Sequence, residues 1–286
     1  MPDHLVHLID QKRGISIIGA ETTKLCAEAE TRHFCGRMAS IALAKTLTGT
    51  TLISAGLKDG ERQSVQINFN GKLRHVFAEA NSEGKLRGYP SDAEIPELDN
   101  GPAGYVSALG SEGNITVIRW RDGHVPYTGS IVVKNPTIRN NFNEYLNNSE
   151  QLFAEVELVA QYKSNSISWA GGLLARLLPG GEVDDFEKLR QRFKSGEVFE
   201  ALSREMSIDE ALNEFWPTAS LEEKRRRPIS FSCFCSKDRV RGMLVALGKE
   251  EIENILKEEK TTEITCKFCN SNYEVTCEDL RQILEE

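Results

Sequence analysis

Ser64-Val65-Gln66-Ile67-Asn68-Phe69-Asn70-Gly71 is the stretch on which the fold class turns. Val65, Ile67 and Phe69 alternate with polar residues, the period of a strand with one face in a core. The strand runs into Asn70-Gly71, a pair in which both positions tolerate positive φ, so a two-residue hairpin turn is expected there. Working outward, 115–120 and 127–133 read as a second hairpin joined through Asp122-Gly123. Upstream, Phe34, Met38, Ile41 and Ala42 recur at helical spacing, which predicts an amphipathic helix packed on a sheet. Downstream, Ile138, Phe142, Tyr145 and Leu146 give another helical face, and Ala154, Val156, Leu158 and Ala160 another alternating strand. Strands follow strands rather than alternating with helices, so the chain reads as α+β and not as a βαβ repeat.

The texture changes after Leu177-Leu178-Pro179-Gly180-Gly181, where Pro and paired Gly break regular structure. A large N-terminal mixed α/β core domain is therefore expected over 1–181. In the next segment, 182–231, 21 of 50 residues are charged, yet Phe186, Leu189, Phe193, Ile208, Leu212, Phe215 and Trp216 keep helical spacing. Such amphipathic helices must lie against another surface, so 182–231 reads as a helical linker docked on the core. Lys224-Arg225-Arg226-Arg227 within it reads as a solvated charge run. The remaining residues, 232–286, form a small third domain. Val240, Met243, Leu244 and Leu247 predict a helix ended by Gly248, and Ile252, Ile255 and Leu256 a second. A hairpin over 264–275 and a last helix over 278–284 complete it.

Five of the seven cysteines fall in those last 55 residues, as Cys233-x-Cys235, thirty intervening residues, Cys266-x-x-Cys269, and then Cys277. No histidine follows His124. Four thiolates in two close pairs are a ligand set for tetrahedral zinc, and Cys266-Lys267-Phe268-Cys269-Asn270 has the form of a zinc knuckle. A domain this small buries too little apolar surface to be securely stable alone. Structural zinc contributes about 10–16 kcal/mol of apparent folding free energy in small peptides, enough to fold such a unit. A purely structural zinc ribbon remains open on spacing alone. Zinc-bound thiolates stay nucleophilic when an oxidant reaches them, and the Cα separation within each pair allows a disulfide, so a redox role is open as well. Cys26 and Cys35 read as small buried hydrophobes.

The bulk figures narrow the classes. Net charge is −8 at pH 7, which counts against coating nucleic acid, where phosphate contacts need Lys and Arg. There is no apolar run long enough for a transmembrane helix. Met1-Pro2-Asp3-His4-Leu5 lacks a charged segment followed by an apolar one, so no secretory signal is expected and a cytoplasmic protein is. No G-x-x-x-x-G-K-[ST] segment occurs, so nothing supports ATP-driven work, and no nucleophile–base arrangement or nucleotide fingerprint marks an enzyme.

The chain closely resembles the 33 kDa heat shock protein family of redox-regulated holdase chaperones. The C-terminal likeness lies in Cys233-Phe234-Cys235-Ser236, Arg239, the Leu244/Leu247 helix, Ile264-Thr265-Cys266-Lys267-Phe268-Cys269 and Tyr273. The N-terminal likeness lies in Gly84-Lys85-Leu86-Arg87-Gly88-Tyr89, Pro126-Tyr127-Thr128-Gly129, Ser149-Glu150-Gln151, Ala170-Gly171-Gly172-Leu173-Leu174 and Leu177-Leu178-Pro179-Gly180. The likeness spans nearly the whole length, in the family's order. It implies one zinc per reduced chain, held by Cys233, Cys235, Cys266 and Cys269. It also implies oxidation to Cys233–Cys235 and Cys266–Cys269 disulfides, zinc release, and opening of the small domain and linker. The partners it implies are unfolding client proteins, bound without ATP during oxidative and heat stress, and a second copy when oxidised, the reduced form being a monomer. Two departures stand out: Pro90 follows Tyr89 where a β-branched residue is usual, and Cys277 is an additional thiol. The competing reading is a constitutive zinc ribbon that binds RNA or the ribosome; a thiol–disulfide oxidoreductase ranks third, because Cys266-x-x-Cys269 sits in a hairpin rather than at a strand-to-helix turn.

Overall fold

The computed structural model describes residues 2–95, 102–216, 221–257 and 261–285. Its contacts divide the chain into two compact units, Met1–Ser232 and Cys233–Glu286.

The first unit is built on two sheets with helices on three of their faces. One sheet has the order β10-β1-β2-β9-β8, with strands Leu221–Pro228, His4–Asp10, Ile15–Glu21, Ser166–Leu177 and Ala154–Lys163, all antiparallel. The other has the order β11-β5-β4-β3-β6-β7, with strands Ser230–Phe231, Lys85–Pro90, His75–Asn81, Glu61–Phe69, Glu112–Arg121 and Tyr127–Lys134. Only the short β11–β5 pair is parallel. Helix α2 (Arg37–Ile53) packs against strands of both sheets, preceded by α1 (Thr23–His33). Thirteen of the seventeen residues of α2 are buried, including Thr46, Thr48 and Thr51, whose hydroxyls donate to the carbonyls four residues back and so need no water. Gly49 lets Phe142 of α4 (Ile138–Glu144) approach: a Cβ there would stand 2.3 Å from the ring. Helix α3 is Pro102–Leu109.

The outer face of the five-stranded sheet is covered by α5 (Val183–Lys194), α6 (Glu197–Leu202) and α7 (Ile208–Phe215). Phe186, Leu189, Phe193, Leu212, Phe215 and Trp216 close over Val6, Ile15, Ile17, Trp169 and Leu173. Burying each large side chain contributes about 1.5–3 kcal/mol before ordering entropy is counted. Asp184 and Asp185 in the first turn of α5 and Arg192 and Lys194 in its last complement the helix dipole, and Ser207 with Glu210 forms a capping box on α7. Trp216 is held by the fully buried Asp10, whose carboxylate accepts from the indole Nε1 at 3.0 Å and from Arg13 Nη1 at 2.7 Å.

Several expectations are met and several are corrected. The α+β class stands, and β8 and the β6–β7 hairpin lie as expected, with Gly123 at φ 79°. The turn after β3 is longer than two residues: Phe69 N–H donates to Arg74 O, closing a loop over 70–73. Asn70 is not available for a tight turn because its Oδ1 accepts from Ser111 and Glu112 N–H, while Leu73 is buried. Phe34 is no part of the helical face; it caps α1 in the left-handed conformation and its side chain is exposed. The break at 177–181 is a turn inside the first unit, stitched by Leu178 and Glu182 N–H to the Gly14 and Arg13 carbonyls. The segment 182–231 is not wholly helical: past residues 217–220, which lie outside the described residues, it returns as β10 on the edge of the five-stranded sheet. The basic run 224–227 lies on this strand, where Lys224, Arg225 and Arg226 are exposed as a solvated charge run requires. Arg227 is buried, donating to Ser82 O at 2.6 Å and to Ser54 O and Oγ at 3.1 Å.

The opposite edge of that sheet is closed by side chains at its first residues, Ala154 and Val156. Asn143 Oδ1 accepts from Val156 N–H at 2.8 Å while its Nδ2 donates to Val156 O at 3.3 Å. Asn147 does the same for Ala154, accepting at 3.3 Å and donating at 2.9 Å. Four residues along a helix advance about 6 Å and two along a strand about 6.7 Å, so the two amides match the β8 repeat.

The second unit contains α8 (Lys237–Leu247), α9 (Lys249–Lys257), the β12–β13 hairpin (Thr262–Thr265 with Asn272–Val275) and α10 (Cys277–Glu285). Its core is small: Val240, Leu244, Ile252, Val275, Leu280 and Ile283.

Candidate metal centre

Cys233 and Cys235 lie on the extended segment between β11 and α8, and Ser236 ends it by capping α8, its hydroxyl accepting from Arg239 N–H at 3.2 Å. Cys266 and Cys269 occupy the tip of the β12–β13 hairpin. Cys266 O accepts from Cys269 N–H at 3.3 Å and from Asn270 N–H at 2.8 Å, and Asn270 takes φ 58° to complete the turn. This knuckle turns both sulfurs the same way.

All four sulfurs converge within 4.8 Å of one another. Two contacts cross between the motifs, Cys233 to Cys266 at 3.7 Å and Cys235 to Cys269 at 3.3 Å. A tetrahedron with metal–sulfur bonds of about 2.3 Å has edges of about 3.8 Å, so this set fits a tetrahedral ion held by four thiolates. The sulfurs are half-buried except Cys269, which is buried. Burial pushes the Cys235 thiol up to about 12, against the Tyr273 hydroxyl, which donates to its sulfur at 3.0 Å. Burial also works to raise Cys269, but contacts with the Ser271 hydroxyl and backbone and with the neighbouring thiols outweigh it and bring Cys269 down to about 7. The cluster thus sets a readily ionised Cys269 beside Cys235 and Cys266, whose thiols burial pushes up and which a cation would help to ionise.

Every cysteine expected in the cluster is there, and Cys277, half-buried at the start of α10, is not a member. Cys26 and Cys35 are buried in the first unit, where burial pushes both thiols up to about 12. Tyr273 and Ser271 were not foreseen as groups contacting sulfur. The signal available for Tyr273 was its polar tip on a strand leaving the knuckle, directly opposite Ile264.

The model of the Hsp33 protein family matches residues 3–276. A 33 kDa chaperonin of Desulforamulus reducens is 32% identical over 290 residues, covering 100% of this chain and 98% of the relative. One of Bacillus pumilus is 32% identical over 292 residues, covering 99% of each. The crystal structure of the 33 kDa chaperonin (heat shock protein 33 homolog) of Thermotoga maritima superposes with a TM-score of 0.89 at 23% identity, covering 100% of this chain and 98% of that one, a likeness of fold. With the four-sulfur cluster on the same chain, these matches place it plainly: the protein belongs to the Hsp33 family of chaperones.

Proposed function

We propose that this chaperone is a holdase switched by oxidation of its metal centre. In the reduced protein Cys233, Cys235, Cys266 and Cys269 hold one zinc ion, and the chain is a quiescent monomer. Peroxide oxidises each close-sequence pair: two thiols lose two electrons and two protons to form one disulfide, and one H2O2 becomes two waters. Two such reactions leave Cys233–Cys235 and Cys266–Cys269 disulfides and no thiolate for the ion, which departs. The second unit then loses the metal on which its six-residue core depends. The segment 182–231, which leads directly into Cys233, opens and uncovers apolar surface. Non-directional apolar contact suits unrelated unfolding clients in the cytoplasm and needs no nucleotide, and the opened form dimerises.

The convergence of four sulfurs within 4.8 Å carries this reading. Because all four sulfurs lie within 4.8 Å of one another, proximity does not select the pairing. Loop closure favours the local pairs once the unit opens, since closing a loop about eleven times longer costs about 2 kcal/mol more. The test combines metal analysis, peptide mapping and light scattering of a thermally unfolding client, before and after peroxide with mild heat and without ATP. Zinc loss, local disulfides and a gain in suppression of aggregation are expected together. Equal suppression in both redox states refutes the switch, and dominant cross-motif or Cys277 disulfides refute the pairing.

A further inference from the structure

On the first unit a pocket of about 420 Å3 is lined by His7, Ala55, Gly56, Leu57, Lys58, Asp59, Lys224 and Arg225. A break in strand register makes it. His7 pairs with Arg225 but the next residue, Leu8, pairs with Glu223, so Lys224 is the extra residue of a β-bulge. In a regular strand Lys224 and Arg225 would point to opposite faces; here both line one cavity. The Arg225 Nη1 donates to the Ala55 and Leu57 carbonyls at 3.4 and 3.3 Å, which orients the guanidinium without neutralising it. Lys58 lines the same pocket. Three cations thus face one lining carboxylate, Asp59, in a protein whose net charge is −8. Lys224 also pairs with the exposed Glu222. His7, bonded to the Ser16 hydroxyl at 2.9 Å, is lowered to about 4, by burial first and then by the nearby Arg176, Arg225 and Lys224.

We propose that the bulge pocket is a binding site for a phosphate-bearing anion, held by Lys58, Lys224 and Arg225. A planar guanidinium flanked by two ammonium groups suits a doubly or more highly charged oxyanion better than a single carboxylate. The volume admits more than one phosphoryl group. None of the lining residues is Phe, Tyr or Trp, and the phosphates themselves are what is read. A bound anion bridges β10 to the 55–59 connection. It therefore stabilises the arrangement in which β10 lies on β1, by ordinary linkage between binding and folding.

The probe is tripolyphosphate, titrated calorimetrically into the reduced full-length protein at low salt, with a thermal-shift measurement in parallel. Saturable one-to-one binding that weakens with added salt and raises the melting temperature is expected. Lys58→Ala with Lys224→Ala should weaken it roughly tenfold or more, since charge-assisted hydrogen bonds are lost. Both residues are exposed, so the fold should survive, and Arg225 is left in place because it ties two carbonyls. Lys134→Ala, on the exposed face of β7, should bind like the parent. A nucleoside triphosphate should bind no more tightly than tripolyphosphate. Equal binding by the double variant and the parent, no binding at millimolar probe, or binding of the nucleotide alone would each overturn the proposal.

Discussion

Around the sulfurs, single atoms decide what the centre can do. Tyr273 donates to Cys235 and Ser271 contacts Cys269, so two of the four sulfurs have a fixed polar neighbour. Replacing any ligand with Ser removes a thiolate from a closed tetrahedron. Cys266→Ser is expected to bind zinc with severely reduced affinity, and a competition titration against a chromophoric chelator measures it; unchanged stoichiometry and affinity would sink the ligand assignment. These four residues were legible in the sequence because their chemistry is tied to spacing: two thiols one or two residues apart leave few other readings. Asn70 shows the opposite case. Its type and its Gly71 partner announce a tight turn, but the amide is used 41 and 42 residues away, at Ser111 and Glu112, and no local pattern encodes that.

The elements between 182 and 228 carry the largest gap between pattern and outcome. Helical spacing showed which faces of α5 and α7 would be apolar, and those faces do meet the sheet. The return of the chain as β10 was hidden, because an edge strand with one exposed face and a charged composition has the same texture as coil. Only the register with β1 reveals that Arg227 is buried while Lys224 and Arg225 line a pocket. The helical cover is fastened at its far end by Asp10 and Trp216, with the Arg13 guanidinium over the indole ring at 5.5 Å. Asp10→Ala leaves a buried indole N–H without its acceptor, which costs about 1–3 kcal/mol. The reduced variant is expected to be cut by protease between 182 and 216 under conditions in which the reduced parent is not. Indistinguishable digestion patterns would mean that the apolar face alone holds the cover.

For the molecule as a whole, the two units differ in what sustains them. Met1–Ser232 has an extensive core around α2 and a second beneath the helical cover, whereas Cys233–Glu286 has six buried apolar side chains and the sulfur cluster. Stripping zinc from the reduced protein with a chelator should therefore abolish hydrogen-exchange protection in α8, α9, β12, β13 and α10 while β2, β9 and α2 keep theirs. Uniform loss, or no loss, would contradict a metal-dependent second unit. Sequence texture separated these regions because core size and cysteine density both change near residue 232. The side-chain closure of β8 has a different bearing. A chaperone that gathers extended, partly unfolded chains raises their local concentration around itself, and an open sheet margin in that setting would serve as a seed for cross-β growth. Asn143 and Asn147 imitate a neighbouring strand for one helical turn, but the helix behind them has no second margin to offer. Main-chain pairing terminates at Ala154 and Val156, so over that part of β8 an incoming chain finds no free main-chain partner from which a fibre could grow.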